Sequence, residues 1–274
     1  MDPLLAHVTA DPPSVRRTAY VIHGILGSKS NWRSLARRYA ERLDGWGFVV
    51  VDLRMHGESQ HFAPPHTLDA VADDLSRLSR ALGRAPDAVI GHSFGAKSAL
   101  AWMEAGTEAI PRAVILDTNP GARPDGRGSE ATLEVLTALA RAGRHFETRE
   151  AFIATMTGAG VSKMIAQWLA MNLVVDAEGY RMRLDLTAID ALLDDYFARD
   201  LWGVLESPTL TARVDFVVGE RSAVLQPGDR ARLDAIAARP GARVRVTEIA
   251  GAGHWVHVDR PEEVSAVILR ALGE

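Results

Sequence analysis

The 274-residue chain contains no cysteine. Disulfide bonds, thiolate zinc sites, iron–sulfur ligation and a cysteine nucleophile are therefore excluded. Long apolar runs are also absent, since no stretch approaches the roughly 18 residues that a membrane-spanning helix needs. Because 47% of the residues are nonetheless hydrophobic, the chain can build a sizeable core without a covalent or metal staple.

Neither positive nor negative charge dominates the chain. The formal net charge is −4, and no block of like charges is long enough to suggest a nucleic-acid-binding arm, so no nucleic-acid partner is expected. Lysine occurs only at Lys29, Lys97 and Lys163. The opening stretch MDPLLAHVTADPP has no basic leader followed by an apolar segment, which argues against a signal peptide. We therefore expect a cytoplasmic protein that does not associate with membranes.

Short apolar runs alternate with amphipathic stretches over most of the chain. Continuous apolar strands separated by helices predict an α/β fold with a mostly parallel sheet covered on both faces. In such sheets, sites form beyond the carboxyl ends of the strands. The predicted strands are 18–24, 48–53, 87–93, 112–117, 215–220 and 243–251. The predicted helices are 31–43, 67–83, one ending at Gly106, one near 228–239, and one from Pro261.

Residues 119–206 interrupt this alternation. The segment opens with the Pro/Gly-rich linker NPGARPDGRGS and continues with helical patterns, and DAEGYRMRLD (176–185) suggests a small turn or hairpin. We therefore divide the chain into a first core part (1–118), an inserted helical lid (119–206) and a second core part (207–274). The alternative is that the insertion is scaffold with no part in a site.

GHSFG (91–95) is the strongest chemical signal. It is a G-x-S-x-G between a predicted strand and a predicted helix, the context in which a serine sits on a sharp, strained turn and projects above the sheet. Ser93 is the predicted nucleophile. The predicted base is His254, in the glycine-flanked loop after the last strand, which gives the chain order of a hydrolase. His257 is the alternative base, although packing or capping explains it more simply.

HGILGS (23–28) follows the first long strand, and its glycines let the backbone pass close to Ser93. We predict that the backbone N–H groups of Ile25 and Phe94 stabilise a developing oxyanion, with Leu26 as an alternative to Ile25. His23 is interpreted as a structural hydrogen-bonding residue.

Three further histidines, His56, His61 and His66, invite a metal interpretation. They lie in a Pro-rich loop without the helical or strand spacing that would bring them together, so a structural turn is favoured and no metal is expected. Several bulky side chains are candidates for an acyl pocket but are assigned by default to packing: Phe62, Trp102, Met103, Phe146, Trp168, Met171 and Trp255.

Together these motifs resemble the α/β-hydrolase superfamily, since HG-x-x-G, D-x-R-x-HG-x-S, GHS-x-G and GAGHW-x-H occur in family order over nearly the whole chain. The chain is most similar to a bacterial and mitochondrial branch of short-chain esterases with the signatures HG-x-x-GS, GHSMGGK and AGHWVHA-x-(K/R)P. Here Phe94 replaces the methionine, Ala96 replaces a glycine, and Lys97 takes the lysine position. The resemblance implies hydrolysis of a small-molecule ester or thioester with a short acyl chain and no cofactor.

The third member of a serine–histidine pair is normally a carboxylate. Asp215 begins its strand and so lies at the wrong end of the sheet, whereas Glu220 and Asp117 both follow strands at the right end. The resembling branch can place the acid one strand earlier than most α/β-hydrolases, which favours Asp117, with Glu220 as the alternative. Ser222 then stands where many relatives have the aspartate. It is predicted to be an auxiliary hydrogen-bonding member, or else an ordinary turn residue.

Two classes of function remain after these assignments. The first is a serine esterase, or a thioesterase, lactonase or cofactor-free perhydrolase that uses the same residues. The second is a receptor on a hydrolase scaffold that binds a small molecule without turnover. The intact nucleophile, base and oxyanion loop favour the enzyme, because a receptor has no need of them.

Overall fold

The structure, a computed structural model, describes residues 3–274. Within this range a seven-stranded sheet lies at the centre of the molecule, with hydrophobic clusters on both faces. Strand residues alternate between the clusters: Tyr20 and Ile22 belong to one, Ala19 and Val21 to the other. This alternation is why the strands are apolar along their whole length.

The bounds of the elements in chain order are as follows. The strands are β1 (His7–Ala10), β2 (Arg17–Ile22), β3 (Trp46–Val51), β4 (Ala88–His92), β5 (Arg112–Leu116), β6 (His145–Phe146), β7 (Leu173–Asp176), β8 (Gly179–Met182), β9 (Arg213–Gly219) and β10 (Val244–Ile249). The helices are α1 (Arg33–Arg42), α2 (Leu68–Leu82), α3 (Phe94–Ala105), α4 (Glu130–Ala142), α5 (Arg149–Gly158), α6 (Lys163–Leu169), α7 (Leu186–Ala198), α8 (Trp202–Glu206), α9 (Pro227–Ala237), α10 (Val256–Asp259) and α11 (Pro261–Gly273).

The main sheet has the strand order β1-β3-β2-β4-β5-β9-β10. All neighbouring strands are parallel except β1, which pairs antiparallel with β3. In the register, His92 pairs with Leu116, and Leu116 pairs with Val217. The carboxyl ends of β4, β5 and β9 therefore lie side by side, so the residues that follow these strands meet at the C-terminal end of the sheet.

The mostly parallel sheet predicted from the sequence is confirmed, and α2, α3 and α11 begin or end at the predicted signals, whereas the bounds of α1 and α9 differ from the predicted ones by one or two residues. The Thr67 hydroxyl accepts a hydrogen bond from the Ala70 N–H at the start of α2, and Gly83 ends that helix at a φ of 62°. The sequence pattern missed β1, which has four residues of which only Ala10 is buried. A short, half-exposed edge strand lacks the apolar run by which the other strands were recognised.

Between β5 and β9 the chain forms helices α4 to α8 and a small antiparallel sheet of order β6-β8-β7. The hairpin suggested near 176–185 is present, with Asp176 paired to Gly179. The two ends of this insertion hydrogen-bond to each other: Leu201 N–H donates to Pro120 O at 2.8 Å, and Arg123 N–H donates to Phe197 O at 2.6 Å. The insertion therefore leaves and rejoins the core through paired stems.

None of the helices between residues 3 and 274 combines the length and the apolar character that a bilayer span requires.

Candidate active site

Ser93 lies in the turn between β4 and α3, with φ 54° and ψ −120°. Positive φ is uncommon for a residue other than glycine and marks a strained turn. The two flanking glycines permit the strain: a Cβ on Gly91 would lie 2.4 Å from Gly95 O, and a Cβ on Gly95 would lie 2.3 Å from His23 O. Ser93 is partly exposed while its neighbours on both sides are buried. The turn thus directs this one hydroxyl out of the sheet.

His254 lies in the loop after β10 and contacts both Ser93 and Asp117. Its Nε2 is 2.9 Å from Ser93 Oγ, and its Nδ1 is 2.7 Å from Asp117 Oδ2. Since a carboxylate only accepts, the proton lies on Nδ1, and Nε2 is free to accept from the serine hydroxyl. His92 Nε2 donates to His254 O at 2.9 Å and so fixes the loop. Ser93, His254 and Asp117 form one continuous hydrogen-bonded chain.

Asp117 follows β5 and is fully buried. Its Oδ1 accepts the Gly219 N–H at 2.9 Å, and its Oδ2 accepts the Ser222 hydroxyl at 2.5 Å as well as the His254 imidazole. Every partner of this carboxylate is therefore a donor. Gly219 was not predicted as a site residue, yet a Cβ there would lie 2.3 Å from Gly253 O. Only glycine lets the end of β9 approach the histidine loop so closely.

The two other carboxylates considered from the sequence lie elsewhere. Glu220 is exposed, and its Oε2 accepts the Gly251 N–H at 2.6 Å. Asp215 lies near the opposite edge of the sheet, where it pairs with Arg270 at 3.1 Å. The described contacts thus leave Asp117 as the carboxylate that touches His254.

His257, the alternative base, lies in α10 and is buried. Its ring stacks on Trp32 with 4.6 Å between ring centroids and contacts His92 edge-on at 4.5 Å. Burial lowers the pKa of His257 to about 3, so the ring is neutral near pH 7. Packing, rather than proton transfer with Ser93, accounts for this histidine.

The loop HGILGS passes directly beside the nucleophile, since a Cβ on Gly24 would lie 3.4 Å from Ser93 Cβ. Leu26 N–H, the alternative oxyanion donor, is already used because it donates to His56 Nε2 at 3.1 Å. For Ile25 N–H and Phe94 N–H, residues 3–274 provide no acceptor. These two N–H groups are therefore the ones available to a ligand atom.

Two buried histidines support this loop. His23 Nδ1 donates to Gly24 O at 2.7 Å while its Nε2 accepts the Leu53 N–H at 3.1 Å. His56 Nδ1 donates to Arg54 O at 2.9 Å while its Nε2 accepts from Leu26. Burial lowers the pKa of both rings, that of His56 to about 3, so each keeps one donor and one acceptor nitrogen. Both histidines thus link the loop to the turn after β3.

His61 and His66, the other members of the metal interpretation, do not join His56. Within the described residues, no three His, Asp or Glu side chains are grouped so that they could hold a metal ion. His56 is instead occupied by its two backbone partners.

A cavity of about 310 Å³ adjoins Ser93 and His254. Trp168 and Trp255, assigned from the sequence to packing by default, both line it, whereas in the described chain the other five bulky candidates do not. Both side chains also pack, Trp168 against the hydrophobic core and the two rings against each other, and sequence spacing could not show that they face a cavity as well. The insertion contributes apolar side chains to the wall: Val135, Ile165, Trp168, Leu193, Tyr196 and Phe197.

Lys97 lies on α3 one turn after Ser93 and is only 1% exposed. Its Nζ donates to Gly121 O at 2.8 Å and to Tyr196 O at 2.6 Å, which are carbonyls near the two stems of the insertion. Burial lowers the pKa of this amine to about 7. A neutral amine still has two N–H donors, enough for both carbonyls.

The lowered pKa of the buried Lys97 amine predicts that the stability of the protein depends on pH. The pKa is about 7 in the folded state against 10.5 for an unperturbed lysine, so between these values the unfolded chain binds a proton that the folded chain does not. The free energy of unfolding should therefore rise with pH in this window, by up to about 1.4 kcal/mol per pH unit. Urea unfolding from pH 7 to pH 9 measures the slope, which Lys97→Met should reduce. Lys163→Met, at an exposed lysine, is the control, and equal slopes in all three proteins would contradict the prediction.

Comparison with known proteins places these features in a family. Residues 19–267 match the Alpha/beta hydrolase family. Lipase LipV of Mycobacterium tuberculosis is 30% identical over 271 residues, which cover 97% of each chain. Esterase YbfF of Escherichia coli is 29% identical over 254 residues, covering 93% of this chain and 92% of the relative. The Mus musculus protein named sn-1-specific diacylglycerol lipase ABHD11 is 29% identical over 248 residues, covering 88% of this chain and 76% of the relative.

Solved structures show the same fold. A marine microorganism esterase superposes with a TM-score of 0.83 at 21% sequence identity, covering 98% of this chain and 99% of that one. At this identity the likeness concerns the fold alone. Since the family match extends over most of the chain, the protein belongs to the Alpha/beta hydrolase family, and the α/β-hydrolase fold expected from its motifs is confirmed.

Proposed function

We propose that this protein is a serine hydrolase that cleaves carboxylic esters. The observation that carries the proposal is the hydrogen-bonded chain from Ser93 Oγ through His254 to the buried Asp117 carboxylate, at the edge of an apolar cavity. The relatives named as lipases and esterases support the same reaction class.

In the proposed first step, Ser93 Oγ attacks the acyl carbon while His254 Nε2 takes the hydroxyl proton. Asp117 keeps the Nδ1 proton in place and stabilises the imidazolium that forms. The negative oxygen of the tetrahedral intermediate accepts hydrogen bonds from the Ile25 and Phe94 N–H groups. When the intermediate collapses, the acyl C–O bond breaks and His254 gives the proton to the leaving alcohol.

The second step releases the acid. A water molecule takes the place of the alcohol, His254 removes its proton, and the acyl–Ser93 bond is hydrolysed through the same oxyanion contacts. No cofactor takes part in either step. Thioesters and lactones would react through the same groups.

We further propose that residues 119–206 act as a lid, because they provide much of the apolar wall around Ser93. The cavity of about 310 Å³ is near the lower end of the range for small-molecule sites, roughly 300–1,000 Å³. This size supports small acyl groups, in agreement with the short-chain esterase resemblance.

The acyl preference can be measured with p-nitrophenyl esters from acetate to dodecanoate. We expect the highest kcat/KM for acyl chains of about two to six carbons, since a cavity near this lower bound has little room for longer chains. A fluorophosphonate should label Ser93 in the same preparation. A clear preference for dodecanoate over acetate and butanoate would contradict the short-chain assignment.

The same assay separates an enzyme from a receptor. An enzyme releases many equivalents of p-nitrophenol per chain from p-nitrophenyl acetate. A receptor on this scaffold would release at most one equivalent, because the acyl group would remain on Ser93.

A further inference from the structure

A second apolar depression, here called the outer groove, lies outside the catalytic cavity and has a volume of about 260 Å³. It lies between the start of α1, helix α6 of the insertion, and the segment from the histidine loop into α10. Its apolar lining is formed by Leu35, Met164, Ile165, Trp168, Trp255 and Val258. Met164 is 58% exposed and Val258 is 50% exposed, so this part of the surface presents large apolar side chains to solvent.

The polar groups of the outer groove are already engaged or uncharged. Asn31 Oδ1 accepts the Ser28 N–H at 2.7 Å, and its Nδ2 faces Met171 Sδ at 3.9 Å. His257 stacks on Trp32 and stays neutral because burial lowers its pKa. The outer groove therefore suits an apolar ligand better than a charged one.

The outer groove adjoins the catalytic cavity. Ile165, Trp168 and Trp255 line both spaces, so the two spaces share these side chains. Trp168 and Trp255 meet edge-to-face, with 4.6 Å between ring centroids and an angle of 80°. A ligand that fills the cavity thus lies one aromatic side chain away from the groove.

The chemistry of the reaction indicates which part of the ester lies towards the outer groove and which lies in the cavity. His254 Nε2 delivers the proton to the leaving oxygen, so the alcohol portion of the ester must lie against His254. Trp255, which directly follows His254, and Val258 line the outer groove. Leu193 and Phe197 line the cavity only, within the part of the chain described.

We propose that the outer groove binds the apolar alcohol portion of the ester, while the cavity holds the acyl chain. The proposal rests on the proposed esterase function and narrows its substrate class to esters with an apolar alcohol, such as alkyl esters. Sugar esters and other strongly polar alcohols would leave the apolar lining of the groove unmatched.

Two ester series test this assignment, one of butanoates from methyl to hexyl and one of ethyl esters from acetate to hexanoate. Along the butanoate series, kcat/KM should rise by about threefold per methylene, as expected for burial of a CH₂ group. In Val258→Thr and Met164→Gln this gain should fall below about twofold per methylene. The ethyl series should respond to acyl length as in the wild type. Val175→Thr changes a valine that is 74% exposed on β7, outside both spaces, and is the matched control.

Each kinetic outcome decides the proposal. If kcat/KM rises along the butanoate series in both groove variants as steeply as in the wild type, the proposal is overturned. A loss of gain confined to the ethyl series would also overturn it, because the groove would then hold the acyl chain.

Binding of 1-hexanol to the Ser93→Ala protein, measured by calorimetry, tests the groove without turnover. Val258→Thr and Met164→Gln should weaken binding at least threefold, whereas Val175→Thr should not. Equal affinity in all variants would overturn the groove assignment. If the wild type hydrolyses no ester, the proposed function fails and this binding measurement still decides the groove.

Discussion

Replacing Ser93 with alanine should abolish hydrolysis of p-nitrophenyl butanoate. Loss of the nucleophile in serine hydrolases lowers kcat by about 10⁶, so the remaining rate should be about a millionth of the wild-type rate. The structure gives the reason: in the described chain, Ser93 Oγ is the group that His254 Nε2 contacts, and no second hydroxyl can replace it. Fluorophosphonate labelling should disappear together with the activity.

Ser129→Ala is the matched control for labelling, because Ser129 also lines the cavity but makes no contact with His254 in residues 3–274. Labelling should persist in this variant. Thermal unfolding of both proteins checks that each remains folded. A Ser93→Ala protein that is still labelled and still turns over ester would refute the nucleophile assignment.

Asp117→Asn should lower kcat by about 10⁴, the effect of the equivalent change in serine proteases. Asp117 Oδ1 faces the Gly219 N–H, which cannot turn to accept a hydrogen bond, so the amide nitrogen of asparagine must take the Oδ2 position. There it donates to His254 Nδ1 and forces the proton onto Nε2. With Nε2 protonated, His254 can no longer accept the Ser93 proton.

Steady-state kinetics of two neighbouring variants make this prediction specific. Ser222→Ala removes one donor to Asp117 and should cost about 1 kcal/mol, or about fivefold in kcat/KM. Glu220→Gln should behave as the wild type, because the exposed Glu220 only accepts from Gly251. An active Asp117→Asn beside an inactive Glu220→Gln would move the acid to Glu220.

The sequence was sufficient for features that depend on local patterns. Continuous apolar runs located the core strands, and the glycines around Ser93 predicted the turn because backbone crowding there is a local property. Ser93 and His254 were both expected beyond the carboxyl ends of parallel strands, which all lie at the same end of the sheet, although β4 and β10 are not neighbours.

Features that depend on side-chain direction across long separations could not be predicted in this way. Trp168 and Trp255 are 87 residues apart in the chain, and only the folded insertion brings their rings together. The donation of Gly219 N–H to Asp117 depends on how far β9 runs before it turns. A backbone donor carries no residue-type signal, so no motif could have revealed it.

The hydrogen-bonded stems of the insertion allow its length and sequence to change during evolution. The Arg123 N–H is hydrogen-bonded to Phe197 O, and the Lys97 amine is hydrogen-bonded to carbonyls near both stems. The insertion therefore starts and ends at nearly the same point in space. The entropic cost of closing such an excursion grows by only about 0.6 kcal/mol for each doubling of its length. Evolution can therefore lengthen, shorten or exchange the insertion, and with it the apolar wall that it gives the cavity, while the geometry around Ser93 is inherited unchanged.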